Sequence, residues 1–297
     1  MEQHSSQNKV EKTSEKIHHH PQPSQEQPGD EHAMTPTPEF YPFYKGVGKF
    51  KDQVVLITGG DSGIGRATAL AFANEGAHIA LMYKDEDQDA AETKQMIEGY
   101  GVRCLVIPGD IGSRQFCFDS VERTVRELGR LDVLINNAGE QHVQEDFEAI
   151  SEDQLEQTFR TNIYSQFFLI QAALKYLPEK TGSIINNASV NAYKGNSKLM
   201  DYTATKGAII GLTRSLAQNL IEKGIRVNAV APGPIWTPLI PASFDEKQTR
   251  EFGSQAPMKR AGQPNEVAGA FTWLASLEAS YVTGQVIHPN GGYIVNG

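Results

Sequence analysis

The chain has 297 residues, of which 39% are hydrophobic, and a net charge of −9; this is enough for one large α/β domain with a well-buried core. Nucleic acid is excluded as an expected partner, because no block of Lys and Arg is present to neutralise phosphates. No apolar run approaches the ~18 residues of a membrane span, so a membrane is not expected either.

Residues 1–47 are rich in Gln, Glu, Ser, Pro and His. Such a segment cannot bury enough surface to offset its ordering entropy, so it reads as a disordered polar tail. His18 to His20 read as solvated side chains. Phe40, Tyr41, Phe43 and Tyr44 are candidates to pin the end of the tail to the domain surface. With no apolar leader segment, the start of the chain does not read as a secretory signal. Cys104 and Cys117 lie in strand-like and helix-like runs without metal-ligand spacing. That pattern suits reduced thiols in a cytoplasmic protein, with no bound metal expected.

Residues 48–297 read as a single domain in which short apolar runs alternate with helical stretches. The expected strands are VVLIT (54–58), HIALMY (78–83), RCLVI (103–107), DVLIN (132–136), SIINN (183–187), RVNAV (226–230) and QVIHP (285–289). They are apolar on both faces, as parallel strands covered by helices on both sides must be. RATALAFANEG reads as an amphipathic helix closed by Gly76. Ser151 and Gln154 fit a capping box at the start of another helix. The pattern predicts a Rossmann-type α/β fold: a doubly wound, parallel, seven-stranded sheet with helices on both faces. INNAG at 135 and INNAS at 185 read as two strands ending at one ligand-facing edge.

TGGDSGIG, from Thr58 to Gly65, joins the first strand to the first helix. Gly59 permits a tight turn, and Gly63 and Gly65 allow close approach of backbone and helix. The free N–H groups of the helix start can then receive a pyrophosphate. Asp61, Ser62 and Ile64 share this loop and are expected to contact the dinucleotide. Selectivity for NAD or NADP is set at the end of the second strand, where an acid suits a 2′-hydroxyl and a base a 2′-phosphate. Tyr83 there favours neither, while Lys84 and Arg66 favour the phosphate. Asp85, at the distance from Gly65 where the acid is expected, is reinforced by Glu86 and Asp87. The balance tilts slightly toward NAD.

DYTATKGAII, from Asp201 to Ile210, places Tyr202 and Lys206 four residues apart, on one face of a helix. Chance would give roughly 0.5 such Tyr/Lys pairs, and the chain has three. Tyr41/Lys45 and Tyr176/Lys180 contain prolines and cannot hold helical geometry. Only Tyr202 and Lys206 stand on an unbroken helix, among small residues. A free phenol, with pKa about 10, is seldom ionised near neutrality, and an ammonium within ~4–6 Å would favour its phenolate. The pair thus suits general acid/base work on an alcohol.

The spacing G-x-x-x-G-x-G over residues 59–65, with Asn136-Asn137-Ala138-Gly139, Asn162, Ser189 and Pro232-Gly233 following in order, resembles the short-chain dehydrogenase/reductase family. GGDSGIGRA and APGPIWTPLIP are further similar to its bacterial general-stress-type oxidoreductases, which often have such N-terminal tails. The resemblance implies interconversion of a small alcohol and a ketone or aldehyde with NAD or NADP. It implies Tyr202 as general acid/base, Lys206 as its electrostatic partner and ribose anchor, Ser189 on the reacting oxygen and Asn162 positioning a relay water. Asp110 and Ile111 would flank the adenine. Asn137, Ala138, Gly139, Pro232, Gly233, Ile235 and Thr237 would complete the cofactor site, in a homotetramer. Residues 234–262 should cover the substrate. Tyr193 is expected in the pocket wall, and Trp236 and Met200 in the site or the core. The alternatives are an idle dinucleotide sensor and a sugar-nucleotide epimerase or dehydratase. The intact set of four catalytic residues speaks against the first, and the glycine spacing and the lack of a longer C-terminal domain against the second.

Overall fold

The computed structural model describes residues 23–295; His18 to His20 lie outside them. Seven strands form one parallel sheet: β1 (Val54–Thr58), β2 (His78–Tyr83), β3 (Cys104–Pro108), β4 (Val133–Asn136), β5 (Ser183–Asn187), β6 (Arg226–Val230) and β7 (Val286–Ile287). Their order is β3-β2-β1-β4-β5-β6-β7, so the chain reverses direction across the sheet between β1 and β4. Ligands bind outside the carboxyl ends of the strands at such a reversal. β3 is displaced by one residue from its expected span. β7 shrinks to two residues, between Gly284 in the left-handed region (φ +72°) and Pro289, which has no N–H to continue a ladder.

The longer helices are α1 (Gly63–Asn74), α2 (Asp87–Glu98), α3 (Arg114–Leu128), α4 (Glu152–Phe159), α5 (Ser165–Ala173), α6 (Asn191–Lys194), α7 (Met200–Asn219), α8 (Glu246–Arg250) and α9 (Pro264–Ala275). Alternate residues of β1 explain the two cores. Val55 and Ile57 pack with Leu70 and Phe72 of α1 and Phe271 of α9, while Val54 and Leu56 pack with Cys117 and Val121 of α3 and Leu169 of α5. Both cysteines are free and buried. Gly76 closes α1 at φ +88°. Ser151 Oγ accepts the Gln154 N–H at 3.1 Å, but the Gln154 side chain donates to Asp201 at 2.9 Å instead of returning to the cap. Half of the expected capping box is therefore present. None of the described helices is long and apolar enough to cross a membrane.

The expected disordered tail differs from the structure over residues 23–47, which lie against the domain. Glu31 and Met34 are buried, and Trp236 Nε1 donates to Pro36 O at 2.8 Å. Met34 packs with Trp236, Ile240 and Ala261. The fully buried Arg66 is the physical reason. Its guanidinium meets the Glu31 carboxylate at 2.6 Å and Asp89 at 3.2 Å, and such a charge stays buried only with partners. Asp89 also accepts the backbone N–H of Glu31 at 2.7 Å and of His32 at 3.2 Å. A low average hydrophobicity concealed one acid and one methionine placed to seal a hole. Of the four aromatic candidates, Phe40 is the one that packs, against the core of α1 and α9 and over Arg66 at 5.2 Å, whereas Tyr41, Phe43 and Tyr44 are exposed. Farther on, the buried carboxylate of Glu75 accepts the N–H groups of Val47, Gly48 and Lys49 at 2.9–3.0 Å.

Candidate active site

The glycine loop has the backbone that its sequence requires. Gly59 and Gly63 have φ of +58° and +52°, and a Cβ on Gly65 would stand 1.7 Å from the carbonyl oxygen of Gly59. No side chain is tolerated there, so α1 can begin directly behind the turn. Asn137 ties β4 to this loop, donating to Thr58 O at 3.0 Å and Gly59 O at 2.9 Å. Asn187 donates to Asn137 Oδ1 at 2.9 Å, and Asn136 to Asn186 at 2.8 Å. The two similar strand ends thus lie side by side, in register Asn136↔Asn186.

Two cavities open above this edge. The larger, about 430 Å³, is lined by Gly59, Asp61, Ser62, Gly63, Ile64, Tyr83, Lys84, Asp110, Ile111, Asn137, Ala138 and Gly139. The smaller, about 280 Å³, is lined by Ser189, Tyr202, Lys206, Pro232, Gly233 and Ile235. Ile64, Asn137, Gly139, Asn187 and Thr237 line both. Burial leaves Asn187 Oδ1 without a partner among the described residues. Among the expected site residues, Gly65 lies behind the turn, Asp85 is exposed outside the cleft lining, and Asn162 lies behind the loop after β4. The Gly63 N–H at the start of α1 is already taken by the Glu31 carboxylate at 2.6 Å. The fit to a dinucleotide lying across both cavities therefore rests on the cradle of glycines, on the remaining first-turn N–H groups and on the unpartnered amide oxygen.

α7 presents Tyr202 and Lys206 to the smaller cavity. Lys206 Nζ stands 5.3 Å from the phenol ring centroid and donates to Asn187 O at 2.7 Å. The expected depression of the phenol is not found in the protein alone. Burial pushes Tyr202 up to about 12 against an opposing hydrogen bond with Ser189, and pushes Lys206 down to about 7. Desolvation favours the neutral form of both groups and outweighs their mutual attraction. Asn162 sits in a wide helical turn (Arg160–Tyr164) between α4 and α5. Its Oδ1 accepts the Glu140 N–H at 2.9 Å, and its amide donates to Glu140 O at 3.0 Å and to Thr205 at 3.1 Å. It therefore fixes the backbone beside Gly139 and also touches the helix that carries the Tyr/Lys pair.

Several expectations need correction. Arg66 is locked between Glu31 and Asp89, so it cannot reach a ribose phosphate. Trp236 is buried against Met34 and lines neither cavity, because its indole faces the tail. Met200 also stands outside both linings. Tyr193 packs edge-on against His288 at 4.8 Å, in a separate depression beside β7. Gln255 lines the smaller cavity from within the expected 234–262 cover, whereas no sequence signal pointed to Gln141, Lys194 and Tyr293 there or to Gln27 and Pro28 in the larger cavity. No spacing marks them; Tyr293 comes from the far C-terminus and stacks under the Lys194 ammonium at 4.5 Å. Asp30, His32 and Asp89 could in principle surround a cation. Asp89, however, already serves Arg66 and two backbone N–H groups.

Comparison with known proteins agrees with this geometry. A family model described as "Enoyl-(Acyl carrier protein) reductase" matches residues 59–294. The chain is 58% identical to General stress protein 39 of Bacillus subtilis, over 91% of this chain and 94% of that one. It is 55% identical to NADPH-dependent aldehyde reductase 1, chloroplastic, of Arabidopsis thaliana, over 91% and 96%. A short-chain dehydrogenase from Burkholderia cenocepacia, solved in complex with NADP, superposes with a TM-score of 0.77 at 29% identity, covering 82% of this chain and 98% of its own. The chain belongs to the short-chain dehydrogenase/reductase family of oxidoreductases, and within it to the general-stress type.

Proposed function

We propose that this oxidoreductase interconverts a small carbonyl compound, an aldehyde foremost, and the corresponding alcohol, with NADP(H) as the preferred dinucleotide. The observation that carries the reading is the convergence of Ser189, Tyr202 and Lys206 on the smaller cavity, where it meets the cleft above the glycine loop. A nicotinamide dinucleotide held in that cleft would supply the hydride. The Tyr202 O–H gives its proton to the carbonyl oxygen as the carbon is reduced, and takes one back in the reverse direction. Ser189 hydrogen-bonds the same oxygen. Lys206, on the phenol face and at the Asn187 carbonyl, holds positive charge where phenolate charge develops. The aldehyde class is supported by the Arabidopsis relative's name and by a cavity of only about 280 Å³. Screening NADPH and NADH oxidation against aldehydes, ketones and sugars tests the reading, and a chain that turns over none of them would sink it. The implied homotetramer remains part of the proposal, supported by the large apolar side chains exposed at Leu277 and Tyr281.

The tilt toward NAD is not supported. Lys84 and Glu86 line the cleft, whereas the exposed Asp85 lies outside its lining. Burial, reinforced by a hydrogen bond with Asp85, pushes the Glu86 carboxyl up to about 8, so this acid is largely neutral at pH 7. Asp87 accepts the Tyr83 hydroxyl at 2.7 Å. Lys84 is then a cation in the cleft lining next to the end of β2, where a 2′-phosphate would sit, with Asp61, pushed up to about 6 by burial, in the same lining. Lys84→Ala should weaken NADPH binding by ~10-fold or more and leave NADH binding within ~2-fold, as a lost charge-assisted contact predicts. Equal losses for both dinucleotides, measured at one ionic strength, would remove Lys84 from this role.

A further inference from the structure

The segment that precedes the domain does more than fill a gap at Arg66. Between residues 25 and 28 it runs across the mouth of the larger cleft, which Gln27 and Pro28 line. On one lip, the side-chain amide of Gln27 pairs with the backbone of Gln141 in both directions: its Nε2 donates to Gln141 O, and its Oε1 accepts the Gln141 N–H at 3.2 Å. Gln141 lies two residues past Gly139, which lines both cavities. On the other lip, the Gln25 N–H donates to Pro241 O at 2.9 Å. Gln141 Nε2 reaches Ser243 Oγ at 3.1 Å, so polar contacts bridge the opening beneath the strap.

The strap has two unequal halves. Its far half is anchored by buried charge and apolar contact, through Glu31, Arg66, Asp89 and Met34. Its near half is held by a few half-exposed hydrogen bonds. Gly29 separates them at φ +89°. It lies so close to the second lip that a Cβ there would stand 2.7 Å from Pro238 O. Regions with few buried apolar contacts open at low free-energy cost, while well-packed neighbours stay closed. Residues 25–28 can therefore lift from the cleft while residues 31–36 remain docked.

We propose that the N-terminal strap completes the dinucleotide site, with Gln27 as a cofactor-retaining residue whose pairing with Gln141 must open before the dinucleotide can leave. The proposal rests on the reading of the cleft as a dinucleotide site. It assigns to a tail residue a role in residence time beside that of the glycine loop, because Gln27 and Pro28 line the same cleft as Gly59 and Gly63 and the Gln27 pairing ties the strap to the backbone beyond Gly139.

Full-length protein loaded with NADPH and mixed with excess NADP gives the dissociation rate from the decay of NADPH fluorescence. Gln27→Ala should raise this rate by ~10-fold, the scale of one or two hydrogen bonds of ordinary net strength acting on dissociation. The melting temperature of the ligand-free chain should move by less than ~2 °C, because a half-exposed polar side chain contributes little to the core. Gln27→Glu, which keeps the length but removes the donor N–H, should accelerate release in the same way and guards against a folding defect in the alanine variant. If both variants release NADPH at the wild-type rate or more slowly, the strap is only structural and the proposal is wrong, while the cleft remains a dinucleotide site. If the unsubstituted chain retains neither NADPH nor NADH, the reading of the cleft falls and the proposal with it.

Discussion

Tyr202→Phe is expected to lower turnover by at least ~10²-fold, the usual scale of general acid/base catalysis, while the dissociation constant for NADPH stays within a few-fold. Phenylalanine keeps the ring that Lys206 faces at 5.3 Å and removes only the O–H. The loss therefore reports the proton and not the packing. The ionisation of the pair sets the direction of the pH effect. With the phenol up at about 12 and the lysine down at about 7 in the protein alone, Tyr202 is a proton donor at neutral pH, and it acts as a base only as pH rises. Carbonyl reduction should accordingly be sustained through neutrality, and alcohol oxidation should climb with pH from 7 toward 10. The Phe variant should lose the climb together with the rate. Rates surviving in Tyr202→Phe within tenfold of wild type would give the proton transfer to another group and reopen the role of the helix pair.

The sheet and the centre of the site were legible in the sequence because they rest on local rules. β1, β2, β5 and β6 have the expected bounds, since each is an apolar run that helices must cover on both faces. The glycine loop was legible because only glycine fits at Gly65, against the Gly59 carbonyl. Ser189, Tyr202 and Lys206, singled out through the resemblance, line one cavity. What could not be read depends on contacts between segments far apart in sequence. Arg66 looked like a free cation at the start of α1, and its two acids come from 35 residues before it and 23 after it. Trp236 suited either the site or the core, and nothing near it in sequence announced Met34, against which it is buried. Lys84 and Asp85 are adjacent, and the side of the strand end that each takes is decided by the cleft, not by their order. Asn162 stands between these cases: its spacing in the chain was visible, but its anchoring of the Glu140 backbone was not.

Removing residues 1–39 should lower the melting temperature by roughly 5–15 °C, the reverse of what composition alone suggests. Three losses act together. Arg66 loses Glu31 at 2.6 Å, and breaking a buried pair costs about 3–5 kcal/mol when the remaining charge stays buried. Truncation also admits water to Arg66 and Asp89, so only part of that cost applies. Met34 no longer covers Trp236 and Ile240, and a buried Met side chain stabilises by about 1.5–3 kcal/mol. Trp236 Nε1 loses its acceptor at Pro36, about 1 kcal/mol more. The stated range corresponds to about 2–4 kcal/mol at 2–4 °C per kcal/mol for a domain of this size, less than the sum of these contacts because ordering the strap opposes them. Phe40 remains to cover one side of Arg66, and the Glu75 anchor of Val47 to Lys49 is untouched, so the domain should still fold. Thermal unfolding of the full and truncated chains at one pH, without cofactor, decides the matter. A difference below ~2 °C would mean that the Glu31–Arg66–Asp89 contact contributes nothing net, and that the strap is held in place by the domain without stabilising it.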